Sequence, residues 1–102
     1  MAKMTTVYWR DIPAQVIVKR GRESAKVVLS QRFQVAIDRA AMRAGKGSSD
    51  KYLEDWRRVP TTCSGPMESE AKAQAERLEA AFDDELLERM VKAGGQAVTD
   101  GD

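Results

Sequence analysis

Residues 9–15 form the chemically most distinctive segment of the sequence. Trp9 can present a stacking surface at the end of a strand, and Arg10 and Asp11 can present a charged pair to a ligand. In the competing structural interpretation, Trp9 packs in the core while Arg10 and Asp11 are solvated at a tight turn. We predict a partner-facing turn here, with contacts from Trp9, Arg10, Asp11 and Gln15.

Three arginines form a basic stripe on one predicted helix. At about 100° per residue, Arg32, Arg39 and Arg43 fall within about 40° of one another, beside the apolar face. Such a stripe can bind an anionic partner, or it can be a solvated flank whose aliphatic stems cover the edge of the core. Exposed aromatic residues of the kind that RNA-binding platforms use are not interleaved with it. We therefore favour a protein partner over RNA for this stripe.

The set of possible nucleophiles, bases and metal ligands argues against catalysis. The chain has no histidine, so it lacks the commonest general base and the commonest metal ligand. Its one cysteine, Cys63, precedes a predicted helix, whose N-terminus can activate a thiol, but no second cysteine accompanies it. We predict a non-enzymatic protein with no metal site, no cofactor and an inert Cys63.

The charge of the chain is distributed unevenly. Residues 1–59 carry 13 Lys and Arg against 6 Asp and Glu, whereas residues 60–102 carry 4 against 10. The two halves nearly cancel, so the chain of 102 residues has a net charge of +1. Either the acidic half folds back on the basic half, or each half binds a partner of opposite charge.

Short apolar, β-branched segments near the N-terminus predict a small antiparallel sheet of two or three strands. The segments span residues 5–9, 16–18 and 25–29. A break is expected at residues 11–13, because Pro13 cannot donate a hydrogen bond within a central ladder. A helix starting near Glu23 is the competing assignment for the third segment, which is too short for its periodicity to decide.

Two short-to-medium helices are predicted to follow the strands and to complete a core unit over residues 1–60. Apolar residues at helical spacing begin at Phe33, with Ser30 as the N-cap and Gly45 as the left-handed residue at the end. A second helix, starting at residue 49 or 50, is predicted to carry Trp56 and to end at Pro60.

A linker at residues 61–66 is predicted to lead into a long acidic amphipathic helix over residues 67–93, with a frayed tail at 94–102. A cap at Asp83 or Asp84 would break this helix in two. The helix either docks on the chain's own sheet or completes a groove with another chain. Its apolar stripe consists of Ala71, Ala75, Leu78, Phe82, Leu86 and Met90. The predicted fold class is therefore α+β: a small antiparallel sheet, two short-to-medium helices and a long acidic C-terminal helix.

Residues 8–16, 29–34 and 38–45 form three distinctive strings, and residues 52–57 form a fourth. Together they resemble a small bacterial domain family labelled "virulence factor", after conserved virulence factor C, with similarity over roughly residues 4–58. That label describes a phenotype, so the resemblance assigns no functional residues. Larger relatives join the domain to an iron–sulfur scaffold-like segment, and stand-alone versions lie near genes of corrinoid- and folate-linked one-carbon metabolism. The resemblance implies an accessory protein for a metallocofactor or one-carbon pathway.

These observations lead to one functional hypothesis and one alternative. We expect a cytoplasmic accessory module that binds a protein partner, because a single cysteine fits a reducing compartment and the N-terminus lacks the apolar run of a signal peptide. We expect no membrane association, since no stretch approaches the ~18 apolar residues that a membrane span needs. The alternative is an RNA- or anion-binding protein that uses the basic N-terminal half.

Overall fold

The strands of this protein form one antiparallel sheet, and the helices pack on one face of it. The computed structural model describes residues 2–45 and 49–96. The strands in these ranges are β1 (Ala2–Trp9), β2 (Ile12–Arg20), β3 (Glu23–Val28) and β4 (Trp56–Cys63). The helices are α1 (Gln31–Arg43), α2 (Ser49–Glu54), α3 (Met67–Ala81) and α4 (Asp84–Lys92). This architecture confirms the predicted α+β class, and β3 is the strand that was expected rather than the competing helix.

The sheet has one more strand than predicted. Its order is β3-β2-β1-β4, and β4 pairs antiparallel with β1 along its whole length. The predicted end of the second helix and the first half of the predicted linker are therefore wrong, since Trp56 and Cys63 bound a strand. Pro60 lies opposite Thr5 on this outer strand, and an edge strand tolerates a proline because its missing N–H can face away from the ladder.

The predicted break at Pro13 is also displaced. The turn consists of Arg10 and Asp11, and Pro13 already belongs to β2. The pairing of β1 with β2 shifts register just there, with Val7 opposite Gln15 but the next residue opposite Pro13. The pairing of β2 with β3 begins only at Gln15, so Pro13 lies beyond the end of β3 and removes no hydrogen bond from that side.

The hydrophobic core lies between the sheet and the helices. Helix α1 packs on β2, and α3 packs on both β2 and β3. Phe33, Ile37 and Ala40 of α1 are buried in this core, together with Val16 and Val18 of β2. Ser30 precedes α1 as predicted, but its hydroxyl makes no cap within the helix and instead donates a 2.8 Å hydrogen bond to Glu79.

The acidic half consists of two helices rather than one long helix. The break lies at Asp83, whose side chain caps α4 by accepting a 2.8 Å hydrogen bond from the amide of Leu86. The predicted alternative, in which a cap at Asp83 or Asp84 divides the helix in two, is confirmed. Helix α4 turns back onto α1, and the acidic half docks on its own domain. The predicted fraying from residue 94 is wrong for Gly94 and Gly95, which are buried, while residues 97–102 lie outside the described ranges.

Candidate functional site

Arg10, predicted to face a partner, is engaged within the chain. Its backbone has φ of 53°, a conformation that turns the chain between β1 and β2. Its guanidinium donates a 2.9 Å hydrogen bond to the carbonyl of Gly94, and its Nε lies 3.3 Å from a carboxylate oxygen of Asp55. The guanidinium also lies over the ring of Trp9, 5.2 Å from its centroid. Arg10 therefore links the segment that follows α4 to the turn between β1 and β2.

Trp9 packs in the core, as the competing interpretation held. Its side chain is fully buried, and its indole N–H donates a 2.8 Å hydrogen bond to the carbonyl of Tyr52. Gly95 packs directly on the ring, and a Cβ there would lie 2.7 Å from it. Asp11 accepts a 2.8 Å hydrogen bond from Arg57, and the Asp11 amide donates to the carbonyl of Gly95. The 9–11 turn is thus a docking point for the chain's own C-terminal segment.

Arg32 binds the end of α3. It donates to the carbonyl oxygens of Glu79 and Phe82, and it forms ion pairs with Glu79 at 3.1 Å and Asp84 at 3.3 Å. The last carbonyls of a helix have no partner within the helix, so a guanidinium there satisfies them and also opposes the negative end of the dipole. Burial raises the pKa of the Glu79 carboxyl, but hydrogen bonds from Ser30 and Arg32 outweigh it and hold that pKa below its ordinary value.

The other two arginines of the predicted stripe bind α4. Arg39 forms a two-pronged ion pair with Glu88, with nitrogen–oxygen distances of 2.8 and 3.1 Å. Hydrogen bonds and charge attraction from Arg39 lower the pKa of the Glu88 carboxyl. Arg43 donates a 3.2 Å hydrogen bond to the carbonyl of Lys92. The anionic partner of the Arg32, Arg39 and Arg43 stripe is therefore, in this structure, the acidic half of the same chain.

A second basic surface lies on the sheet face opposite the helices. Lys3, Lys19 and Arg58 line a shallow depression of about 250 Å³, whose other lining residues are Thr5, Ile17 and Pro60. Register accounts for this grouping, because Lys3 pairs with Lys19 and with Thr62, and Thr5 pairs with Ile17 and with Pro60. Directly paired residues share a face of the sheet. We call this surface the open face.

The open face extends across all four strands. Its registered positions are Lys3, Thr5 and Val7 on β1, Gln15, Ile17 and Lys19 on β2, Ser24, Lys26 and Val28 on β3, and Arg58, Pro60 and Thr62 on β4. Val28 is 65% exposed. These positions include four cations and no carboxylate, and Glu23, the one acidic residue in the described strands, is registered with Arg20 on the alternate face.

The four cations of the open face have no ion-pair partner among residues 2–45 and 49–96. Of the predicted site residues, only Gln15 lies on this face, where it pairs with Val7 and Val28. Sequence reasoning missed the surface because its charges come from four separate strands. The one local signal is the alternation of Lys3 and Thr5 with the buried Ala2, Met4 and Thr6 along β1.

The described residues contain neither a cluster of metal ligands nor a helix that could cross a membrane. No group of three or more Cys, Asp or Glu side chains there is arranged to hold a metal ion. No helix there has the length and apolarity to cross a membrane. Cys63, at the end of β4, is half-buried and in no disulfide.

Comparison with known proteins places the chain in a family. The sequence model of a family described as "Virulence factor" matches residues 7–91. The chain belongs to the virulence factor family. The match runs well past residue 58, where the resemblance noted from the sequence ended, and it reaches through α3 into α4. The part of this chain that matches the virulence factor family therefore includes α3 and most of α4. No curated protein and no solved structure matches the chain.

Proposed function

We propose that this virulence factor domain is a non-enzymatic accessory module that binds a protein partner, and that the open face is its contact surface. The observation that carries this proposal is the difference between its two basic surfaces. Arg32 and Arg39 of α1 form ion pairs with the acidic helices, whereas the open face keeps four cations without a carboxylate. The partner that complements such a face is an acidic protein surface.

The open face suits a protein partner in shape as well as charge. It is a sheet surface with a shallow depression, and Ile17 and Pro60 supply apolar area between the cations. Val28 adds an exposed apolar side chain beside Lys26. Protein interfaces combine apolar contacts, which supply binding energy, with charged groups, which set orientation and association rate. Lys3, Lys19, Lys26 and Arg58 would perform the second role.

Nucleic acid is the competing partner, since phosphates would bind the same cations. Proteins that bind single-stranded RNA on a sheet stack bases on aromatic side chains. None of the twelve registered positions of the open face is aromatic, and Trp9 and Trp56, which follow Val7 and Arg58 in the register, pack in or against the core. The face thus has the charge that phosphate binding needs but no stacking surface, which favours a protein. Following the resemblance noted from the sequence, we further propose that this partner acts in a metallocofactor or one-carbon pathway.

Charge reversal on the open face tests the proposal. Lys3→Glu/Lys19→Glu places two carboxylates beside Arg58, and Arg77→Glu on the exposed side of α3 is a control for charge reversal away from the open face. Affinity capture from the native cell, with and without nuclease, should retain acidic proteins on the wild type and on the control but not on the double variant. Capture that is lost on nuclease treatment would identify nucleic acid as the partner. Equal capture by all three proteins would refute the assignment of the open face.

A further inference from the structure

Strand β3 forms one edge of the sheet. Within residues 2–45 and 49–96 it pairs with β2 alone, so half of its backbone N–H and C=O groups face away from the sheet. At the opposite edge, β4 contains Pro60, which cannot donate to an added strand. No proline occurs in Glu23–Val28. Of the two edges, β3 is therefore the one that can accept another strand.

A groove accompanies this edge. It lies between β3 and the first turns of α3, has a volume of about 550 Å³, and is lined by Ser24, Ala25, Lys26, Val27, Glu68 and Lys72. Ala25 and Val27 are only partly buried and pack against the core, as does Met67 at the start of α3. The core is thus incompletely covered along β3, and small apolar side chains from an added strand would complete it.

The charges around the groove select an acidic strand. Lys26 and Lys72 lie on its two sides, and neither has an ion-pair partner among the described residues. Glu68 is the one carboxylate of the lining. Lys26 also belongs to the open face, where Lys19 is paired with the neighbouring Ser24. An added strand would therefore have cations beside it on the open face and Lys72 above it on the helix side.

We propose that an extended acidic segment of the partner protein adds to β3 as a fifth strand. Its alternate side chains would divide between the two faces of the sheet, with acidic ones beside Lys26 and small apolar ones beside Ala25 and Val27. Backbone hydrogen bonds supply affinity in this mode, and the alternation of side chains supplies specificity. The inference rests on the proposed binding function and specifies the form of the partner.

A synthetic strand tests this directly. The probe is a peptide of about ten residues that alternates glutamate with valine, long enough to span the six residues of β3. The control peptide has the same composition with its glutamates and valines in separate blocks. Amide hydrogen exchange followed by NMR should show new protection in Glu23–Val28 with the alternating peptide, little with the block peptide, and none in Trp56–Cys63.

Two variants separate this inference from the proposed function. Lys26→Glu should weaken binding of the alternating peptide at least fivefold, because Lys26 faces the peptide's glutamates, whereas Lys3→Glu, the same change on the distant β1, should leave it nearly unchanged. Protection spread over the open face without any in β3, and equal losses for Lys26→Glu and Lys3→Glu, would overturn strand addition while preserving the open face as a binding surface. A third outcome is that the peptide does not bind, while the Lys3→Glu/Lys19→Glu variant still loses capture of the native partner. That outcome would overturn strand addition alone.

Discussion

The helix-covered face and the open face of the sheet carry cations of different kinds. On the helix side the engaged cations are arginines, and Arg32, Arg39 and Arg43 each bind a carbonyl or carboxylate of the acidic helices. On the open face three of the four cations are lysines. Guanidinium groups bind two acceptors in a fixed plane, while an ammonium group is a mobile, hydrated point charge. The arginines on the helix side thus hold the helices together, whereas the lysines give the open face a positive potential.

Removing the acidic helices should have the largest effect on this comparison. The fragment 1–65 keeps all four strands but loses Ala71, Ala75 and Leu78, which α3 buries against the sheet. The hydrophobic area of β2 and β3 that α3 covers would then be exposed to solvent. We expect loss of the cooperative thermal transition by circular dichroism and aggregation by light scattering. A fragment that stays monomeric and unfolds cooperatively would show that the acidic helices are an independent arm.

Core truncation should distinguish the two faces by several kcal/mol. Phe33 is fully buried between α1 and the sheet, so Phe33→Ala should lower the free energy of unfolding by about 3–5 kcal/mol. Val28 on the open face is 65% exposed, and Val28→Ala should change it by less than about 0.5 kcal/mol. Urea denaturation measures both variants. Similar losses would mean that the open face is covered in solution.

Removal of one cation from each face should also give unequal results. Arg32→Ala leaves the carbonyls at the end of α3 and the Glu79 carboxylate without their partner, and should cost about 1–3 kcal/mol. Lys26→Ala removes a cation that has no partner among the described residues and should be nearly neutral. The comparison uses the same urea titration, and a loss for Lys26→Ala equal to that for Arg32→Ala would contradict it.

Lowering the pH should weaken the contacts of Glu79 and Glu88 with α1 on the helix-covered face, and the open face, which has no carboxylate, should be unaffected. The pKa values of Glu79 and Glu88 are lowered in the folded state by their arginine partners and, for Glu79, by Ser30. Their stabilisation is therefore complete above the ordinary glutamate pKa of about 4.3 and is lost as the pH falls through the lower folded-state values. The Tm should decrease when the pH is lowered below roughly 5, and this decrease should be smaller in the Glu79→Gln variant. An unchanged slope in Glu79→Gln would show that this carboxylate is not linked to folding.

Local patterns were sufficient to predict much of the fold. The spacing from Phe33 to Ala40 and the positive φ of 75° at Gly45 agree with the predicted α1 and its end. The cap at Asp83 was recognisable because it acts on an amide three residues away. Strand β4 was missed because it has a proline in its middle and little apolar alternation, and its strand geometry depends on pairing with the distant β1.

The candidate site could be predicted far less well. Arg32, Arg39 and Arg43 were grouped on one side of α1, because residues of one helix have fixed relative positions, but what they contact depends on where the acidic helices dock. Arg10 and Trp9 were a distinctive string whose role was settled by the distant Gly94 and Gly95. The open face could not be predicted from the sequence, because only the register of the strands brings Lys3 and Lys19 beside Arg58.

Footprinting of lysines in the native complex tests the central claim most directly. The protein would be acetylated alone and in the complex isolated by affinity capture, and the modified sites would be quantified by mass spectrometry. If the open face is the contact surface, the partner should protect Lys3, Lys19 and Lys26 while Lys92, on the exposed side of α4, reacts as in the free protein. Protection of Lys92 with unchanged reactivity of Lys3 and Lys19 would place the partner on the helix side and contradict the account.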